Sequence, residues 1–213
     1  MTTPTLRLFR DRLEPGQARA LPPAPRVLYA ATGDVTVGHE DARTTLGADS
    51  AWHGPGACVM SAGAAEVTAL RWELVPAGAA RVGDLVLEQA MDLAPSAAWL
   101  MRCDRVDFDL GGVALPHRHR GGGIRCLVAG ALEVTVGEAA PRLVRPGGAW
   151  FESGREPVLA RASATESTSF IRVAILPAEI QGTSSILYVD PNDGARGRPR
   201  RYTVWVDAPI ALG

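Results

Sequence analysis

Apolar and polar residues alternate over short runs along this chain, and glycine or proline ends most of the runs. Examples are VLYAATGDVTVG, IRCLVAGALEVTVG, FIRVAIL and YTVWV. A period of two is typical of β-strands with one buried face, and Gly and Pro mark the turns between them. The pattern predicts an all-β protein of many short strands. Only residues 84–93 and the first dozen residues have a pattern that could also form a helix.

Three short motifs occur twice in the same order, about 100 residues apart. SAWHGPG is matched by GAWFESG, LRWELVPA by IRVAILPA, and GDVTVG by LEVTVG. Such a constant offset predicts two copies of one β unit of about 80 residues. We expect a first unit over residues 1–97 and a second over 98–180. Residues 181–213 are then a terminal strand extension that completes a sheet or a subunit contact.

Composition narrows the partners and the chemistry. The 213 residues carry a net charge of −1 with a pI near 6.4, so neither nucleic acid nor a membrane is an expected partner. All 22 basic residues are arginine, which excludes chemistry that needs a lysine. Three cysteines without CxxC spacing indicate reduced thiols. Together with a charged N-terminus that lacks the apolar core of a signal peptide, they predict a cytoplasmic protein.

The stretch ALPHRHRGGGIR holds the most distinctive chemistry. His117 and His119 are two residues apart, so on a strand they share one face and can bind the same ion or ligand. The matching stretch of the first copy is ALPPAP, with Pro23 and Pro25 in place of the histidines. Proline has no nitrogen lone pair to offer, so the first copy is predicted to have lost this site.

The second copy resembles the cupin superfamily. The resemblance rests on a glycine before HxH, the hairpin glycine Gly130, a strand that ends in VTV, and a PGG turn that starts at Pro146. With the duplication, the chain resembles bicupins, and in particular a set of uncharacterised bacterial cupin proteins. The resemblance implies two tandem double-stranded β-helix barrels, of which the N-terminal one is degenerate.

Cupins that bind iron, manganese, nickel or zinc usually have four ligands, of which HxH supplies two. The resemblance places the third, a glutamate, at Gly123 or Ile124, and the fourth, a histidine, near Pro157. This sequence has neither. It therefore implies a depleted site in which His117 and His119 hold one divalent transition metal (Zn, Fe, Ni or Mn).

The third ligand of such a site would be Glu152, Glu156 or Glu133. The alternative is that the histidines hold no metal and form hydrogen bonds to a substrate, water or an arginine.

Arg125 follows the glycine run, and strand parity turns it to the same interior face as the histidines. A buried arginine needs an anionic partner. The three glycines before Arg125 are expected to leave room where the ligand glutamate of cupins would project. Either Arg125 binds the carboxylate of a small acid, or it forms a structural ion pair with Glu133, Glu152 or another internal acid. Trp150 and Glu152 are the other predicted ligand-binding residues.

The run RGRPRRY, residues 196–202, is predicted to be a basic loop that is either solvated or in contact with an anion or a subunit. The sequence thus predicts a protein that binds a small acidic metabolite in its second barrel. Metal-dependent oxygenase or isomerase chemistry is one version, and the alternative is a metal-free binding or sensor protein without catalysis. A homodimer through sheet edges is the expected assembly.

Overall fold

A computed structural model describes residues 3–196 and 200–212, which form nineteen strands. The strands are β1 (Pro4–Leu13), β2 (Ala18–Leu21), β3 (Arg26–Thr32), β4 (Val35–His39), β5 (Ala42–Leu46), β6 (Ser50–Gly54), β7 (Cys58–Ala62), β8 (Val67–Pro76), β9 (Asp84–Ala90), β10 (Trp99–Phe108), β11 (Val113–His119), β12 (Gly123–Ala129), β13 (Leu132–Val136), β14 (Arg142–Val144), β15 (Ala149–Glu152), β16 (Val158–Ala162), β17 (Thr168–Pro177), β18 (Ile186–Tyr188) and β19 (Arg200–Ile210). Two short 3-10 turns lie at Ala178–Ile180 and Pro191–Ala195. The all-β prediction is confirmed, and no helix among the described residues is long and apolar enough to cross a membrane.

The first compact unit contains β1 to β9 in two antiparallel sheets. Their orders are β6-β3-β8-β1-β9 and β2-β7-β4-β5. Both segments that the sequence allowed to be helical are strands. The first forms β1, and most of residues 84–93 form β9. The reason is that β1 has strand-like alternation and is flanked on both sides, since it pairs over ten residues with β8 and also with β9.

The second compact unit, Ala98–Pro209, repeats this design. Its antiparallel sheets have the orders β15-β12-β17-β10-β19 and β14-β13-β16-β11-β18. Two strands from the segment 181–213 thus extend the sheets, with β18 on β11 and β19 on β10. The inner faces bury an apolar cluster that includes Val106, Leu127, Leu132 and Phe170.

Strand register confirms the duplication residue by residue. Arg125 on β12 is paired with a tryptophan on β15 and an arginine on β17. Leu28 on β3 has the same two kinds of neighbour, on β6 and β8. The matched pairs are Arg125 and Leu28, Trp150 and Trp52, and Arg172 and Arg71. The first unit therefore has an apolar residue where the second has its central arginine.

The first unit is also degenerate at its histidine positions, as predicted. Strand β2 ends at Leu21, and Pro23 and Pro25 lie in the loop that follows. The interior polar residues of this unit bind each other instead. Arg71 and Glu73 form an ion pair at 2.7 Å, and Arg71 also binds Asp11; all three are buried.

Candidate functional site

The predicted site residues lie together inside the second barrel. Strand alternation turns His117 and His119 of β11, Arg125 of β12, and Trp150 and Glu152 of β15 to the interior, where all five are buried. They line a cavity of about 20 Å³, which we call the chamber. That volume holds about one or two water-sized groups. Apolar residues close the rest of it, among them Val106, Phe108, Leu132, Val158 and Phe170.

Arg125 and Glu152 form an ion pair at the centre of the site. Nη2 of Arg125 is 2.7 Å from Oε2 of Glu152, and Nη1 donates to the carbonyl oxygen of Gly123 at 2.6 Å. The indole of Trp150 donates to Oε1 of Glu152 at 2.7 Å. Glu133, which was also predicted as a partner of Arg125, is exposed. The structure thus places Glu152 against the arginine.

Charge and burial act in opposite directions on this carboxylate. Burial alone would raise the pKa of Glu152, but the charge of Arg125 and the hydrogen bonds from His119 and Trp150 hold that pKa well below its usual range. Glu152 is therefore ionised. Burial in turn lowers the pKa of Arg125 to about 10, although Glu152 partly offsets the effect. Oε2 of Glu152 is close to both His119 and Arg125. Nη2 of Arg125 has no hydrogen-bond partner other than this carboxylate, so it keeps capacity for one more acceptor.

His119 is held between the ion pair and the next arginine. Its Nε2 is 3.2 Å from Oε2 of Glu152, and its Nδ1 is 3.4 Å from both Oγ of Ser185 and Nη1 of Arg172. Burial lowers the pKa of His119 to about 3, so the ring is neutral. These partners assign the proton to Nε2, which donates to Glu152, and leave Nδ1 as the acceptor.

His117 has the opposite tautomer. Its Nδ1 is 2.7 Å from the carbonyl oxygen of Leu115, which can only accept, so Nδ1 carries the proton. Burial lowers the pKa of His117 more than the hydrogen bond to Leu115 raises it. Nε2 of the neutral ring therefore carries a lone pair. Of the two histidines, only His117 offers its ε nitrogen as an acceptor.

The donor set does not fit the divalent metal that the resemblance implies. Nε2 of His119 is engaged by Glu152, and Glu152 is bound by Arg125. Within residues 3–196 and 200–212, no group of three or more His, Cys, Asp and Glu side chains is placed to hold a metal ion. Guanidinium groups this close would also repel a divalent cation. The third ligand considered at Glu156 is exposed on the surface.

Two further arginines, which were not predicted as site residues, line the chamber. Arg172 makes a bidentate pair with Asp104, and the charge of Asp104 raises its pKa against the effect of burial. Arg200 is 8% exposed and donates from Nε to the hydroxyl of Tyr202 at 2.6 Å. Its Nη2 is buried without a hydrogen-bond partner.

Both arginines had a signal in the sequence. Arg172 matches Arg71 in the repeat, and Arg200 belongs to the basic run 196–202. The prediction that this run is a loop is wrong for residues 200–202, which begin β19, and residues 197–199 lie outside the described part. The alternation of apolar and polar residues predicted a strand over YTVWV, but it could not show that this strand lines the second barrel.

The polar interior carries excess positive charge. Three guanidinium groups, those of Arg125, Arg172 and Arg200, face two carboxylates, those of Glu152 and Asp104. No carboxylate among the described residues forms an ion pair with Arg200. Because both histidines are neutral, one positive charge in the barrel has no counter-charge. Such a site favours an anion.

The glycine run has a different role from the one expected. A Cβ atom on Gly123 would lie 2.4 Å from the carbonyl oxygen of Val173 and 2.7 Å from Cα of Ala174. The expected room beside Arg125 is therefore absent, because the backbone of β17 occupies it. Glycine is needed at this position for the close approach of β12 to β17.

A larger cavity of about 370 Å³ lies against the chamber, and we call it the outer cavity. Arg172 and Tyr202 line both spaces. The remaining walls are Arg102, Asp104, residues 182–186, Val204 and Asp207. This volume is in the range of small-molecule sites.

Solved structures share this architecture. Oxalate decarboxylase from Lactobacillus farciminis aligns with a TM-score of 0.67 at 12% identity, over 91% of this chain and 82% of its own. Salicylate 1,2-dioxygenase from Pseudaminobacter salicylatoxidans gives a TM-score of 0.58 at 10% identity, over 94% and 75%. The coconut allergen cocosin gives 0.63 at 12%, over 86% and 79%. No protein-family model and no curated protein matches the sequence.

These neighbours have the cupin fold, and the chain is a bicupin in fold with a degenerate N-terminal barrel. Identities of this size establish the fold alone, and the neighbours include enzymes of different activity. The chemistry of this chain must be argued from its own site.

Proposed function

We propose that the second barrel binds a small organic acid, and that its carboxylate enters the chamber and pairs with Arg200 and Arg125. The observation that carries the proposal is the guanidinium of Arg200, which is buried and has an unpartnered Nη2. Burying a charge without a counter-charge is costly. A bound carboxylate supplies that counter-charge and accepts the hydrogen bond.

The chamber matches the head group of such a ligand. Its volume of about 20 Å³ suits the two oxygens of one carboxylate. Glu152 stays bound to Arg125 and His119, while Nη2 of Arg125 keeps capacity for one more acceptor. Trp150 and the apolar cluster exclude water, which strengthens the pairing between arginine and carboxylate.

Structural neighbours support the same ligand class. Oxalate decarboxylase and salicylate 1,2-dioxygenase are named for carboxylic acids, and the Lactobacillus farciminis structure is a formate complex. This likeness is at the level of the fold, so it is an analogy and the charge argument carries the proposal.

The proposal favours metal-free binding over metal-dependent oxygenation. His117 presents the lone pair of Nε2, so it can accept a hydrogen bond or a proton from an acid held by the arginines. An isomerase that moves a proton without a metal is the form of catalysis that this arrangement accommodates. A binding or sensor protein uses the same contacts with no turnover. We also propose that the protein is cytoplasmic, as the sequence predicts.

Calorimetric titration with acetate tests the carboxylate site. The parent should bind acetate, and Arg200→Met should weaken binding about tenfold or more, since a hydrogen bond to a charged group contributes about 1.5–3 kcal/mol. Arg201→Met is the matched control, because Arg201 is the next residue on β19 and its side chain is 81% exposed. Equal binding by the parent and Arg200→Met, with both folded by circular dichroism, would overturn the proposal.

A further inference from the structure

We infer that the outer cavity is a second subsite, which binds the neutral, hydroxyl-bearing body of the acid whose carboxylate the chamber holds. This rests on the proposed function and extends it from a carboxylate head to a class of ligand, the polyhydroxy acids. Among the described lining residues of the outer cavity, Tyr202 belongs to the basic run 196–202 and Arg172 to a repeated motif.

The two spaces follow one another along the same strands. Arg102 and Asp104 of β10 line the outer cavity, and Val106 and Phe108, two and four residues further on, line the chamber. Because alternate residues of a strand share a face, these four side chains form one continuous wall. A ligand anchored in the chamber therefore extends toward the outer cavity.

Strand β19 shows the same order. Arg200 lines the chamber, Val204 lines the outer cavity, and Tyr202 between them lines both. Its hydroxyl accepts from Arg200 at 2.6 Å, so it keeps its own proton for donation. Tyr202 thus stands where the head of a ligand would join its body.

The outer cavity is electrically neutral, unlike the chamber. Arg102 donates from Nε and Nη2 to the two carboxylate oxygens of Asp207, at 2.8 and 2.9 Å. Its remaining bonds go to the carbonyl oxygens of Ile180 and Thr183. Arg172 is bound in the same bidentate way by Asp104. Each guanidinium group is paired with a carboxylate. The outer cavity therefore has no unpaired charge that would attract a charged group of the ligand.

Hydroxyl groups and a fixed backbone give the outer cavity its polar character. Asp207 accepts from the backbone nitrogen of Gly182 at 2.7 Å, and this contact and Arg102 hold the segment after the first 3-10 turn in place. Oγ of Ser184 accepts from the backbone nitrogen of Ile186 at 3.2 Å, which leaves its proton able to donate. The hydroxyl of Ser185 is directed to His119.

Apolar surface completes the wall. Ile186, Val204 and the ring of Tyr202 stand among these hydroxyls. The hydroxyl groups of Ser184 and Tyr202 match those of a hydroxylated carbon chain, whereas an alkyl chain that covered them would leave both unpaired. The structure therefore favours a polyhydroxy acid over a fatty acid of equal length.

Three probes separate the head from the body: acetate, hexanoate and D-gluconate, each titrated calorimetrically into the full chain. The last two have six carbons and one carboxylate, and they differ in hydroxyl groups. We expect gluconate to bind at least tenfold more tightly than acetate and than hexanoate. Gluconate binding no tighter than hexanoate, in a parent that binds acetate, overturns this inference and leaves the proposed function standing. No binding of any probe overturns both.

A space-filling variant locates the body of the ligand. Val204→Trp should reduce the affinity for gluconate to within threefold of that for acetate, without changing acetate binding. Leu187→Trp is the matched control, because Leu187 is 44% exposed on β18 and does not line the outer cavity. Unchanged gluconate affinity in Val204→Trp contradicts the inference. If that variant fails to fold, Ser184→Phe fills the same space and is judged by the same criterion.

Discussion

The rings of His117 and His119 meet edge to face, with centroids 4.9 Å apart and planes at 86°. Their tautomers are opposite, because one ring donates to the backbone from Nδ1 and the other donates to Glu152 from Nε2. A shared metal would need both rings to present a lone pair to one point. His119 could do so from Nε2 only by giving up its bond to Glu152, and its Nδ1 already faces Ser185 and Arg172.

We therefore predict that the protein purified without a nickel column holds far less than one divalent metal ion per chain. Elemental analysis by mass spectrometry measures this directly. One ion per chain in the parent, lost in His117→Ala, would contradict the prediction and favour the metal-dependent enzyme.

Removing the charge of Glu152 should destabilise the second barrel strongly. Glu152→Gln leaves Arg125 buried without its carboxylate, and breaking a buried ion pair in this way costs about 3–5 kcal/mol. Urea unfolding measures the loss. Glu133→Gln, at an exposed position of β13, should be neutral. The double variant Arg125→Leu/Glu152→Leu should recover much of the loss, because neither charge then remains unpaired. A double variant as unstable as Glu152→Gln would show that the ion pair is not the cause.

Acid should destabilise the fold in two steps. Burial lowers the pKa of His119 to about 3, so below about pH 6.5 the unfolded chain takes up a proton that the folded ring does not. His117 and His53 shift in the same direction. Stability is therefore highest above this range and falls as the pH drops through it.

Below about pH 4.3, protonation of Glu152 in the unfolded chain lowers stability further, since its folded pKa is held down. Urea midpoints between pH 8 and 3 test both steps. His119→Phe should make the first step shallower, and an unchanged first step in that variant would count against this explanation.

Gly123 should not tolerate a side chain. Gly123→Ala places a Cβ 2.4 Å from the carbonyl oxygen of Val173, and overpacking of this kind costs about 1–3 kcal/mol. Gly63→Ala is the control, because a Cβ there meets nothing within 4 Å. Thermal unfolding compares the two. Equal melting temperatures would show that β12 and β17 can separate at no cost.

The homodimer through sheet edges stays a prediction, and β19 is where we expect it. This strand of 11 residues is the last in its sheet, and a long edge strand is ready to pair with a second copy. Light scattering should give the mass of a dimer. Along an edge strand, successive backbone N–H groups point alternately into the sheet and away from it. Of the two variants Thr203→Pro and Val204→Pro, one therefore removes an N–H group that points away from the sheet. That variant should be a folded monomer. Two folded dimeric variants would exclude this edge.

The sequence predicted the fold because strand period, glycine punctuation and duplication all point to the same architecture. It also placed Arg125 and the HxH pair inside the barrel, since parity depends only on local spacing. The partner of Arg125 could not be chosen from the sequence, because Glu152 and Glu133 differ only in which strand face they occupy. Arg200 was missed as a chamber residue for a related reason. Its strand lies outside both repeats, so only the three-dimensional fold shows that it enters the second barrel.

Leu28 occupies in the first unit the register position that Arg125 occupies in the second, and this has a practical consequence. Each chain therefore carries an internal reference barrel, which has Leu28 at the position of Arg125 and lacks the histidine pair. Both barrels are measured in the same sample and at the same temperature. Hydrogen exchange on ligand addition can therefore be read as a difference between β12 with β15 and β3 with β6. Slower exchange confined to the first pair reports binding. Slowing in both pairs reports a general solvent effect, and no second protein sample is required to tell them apart.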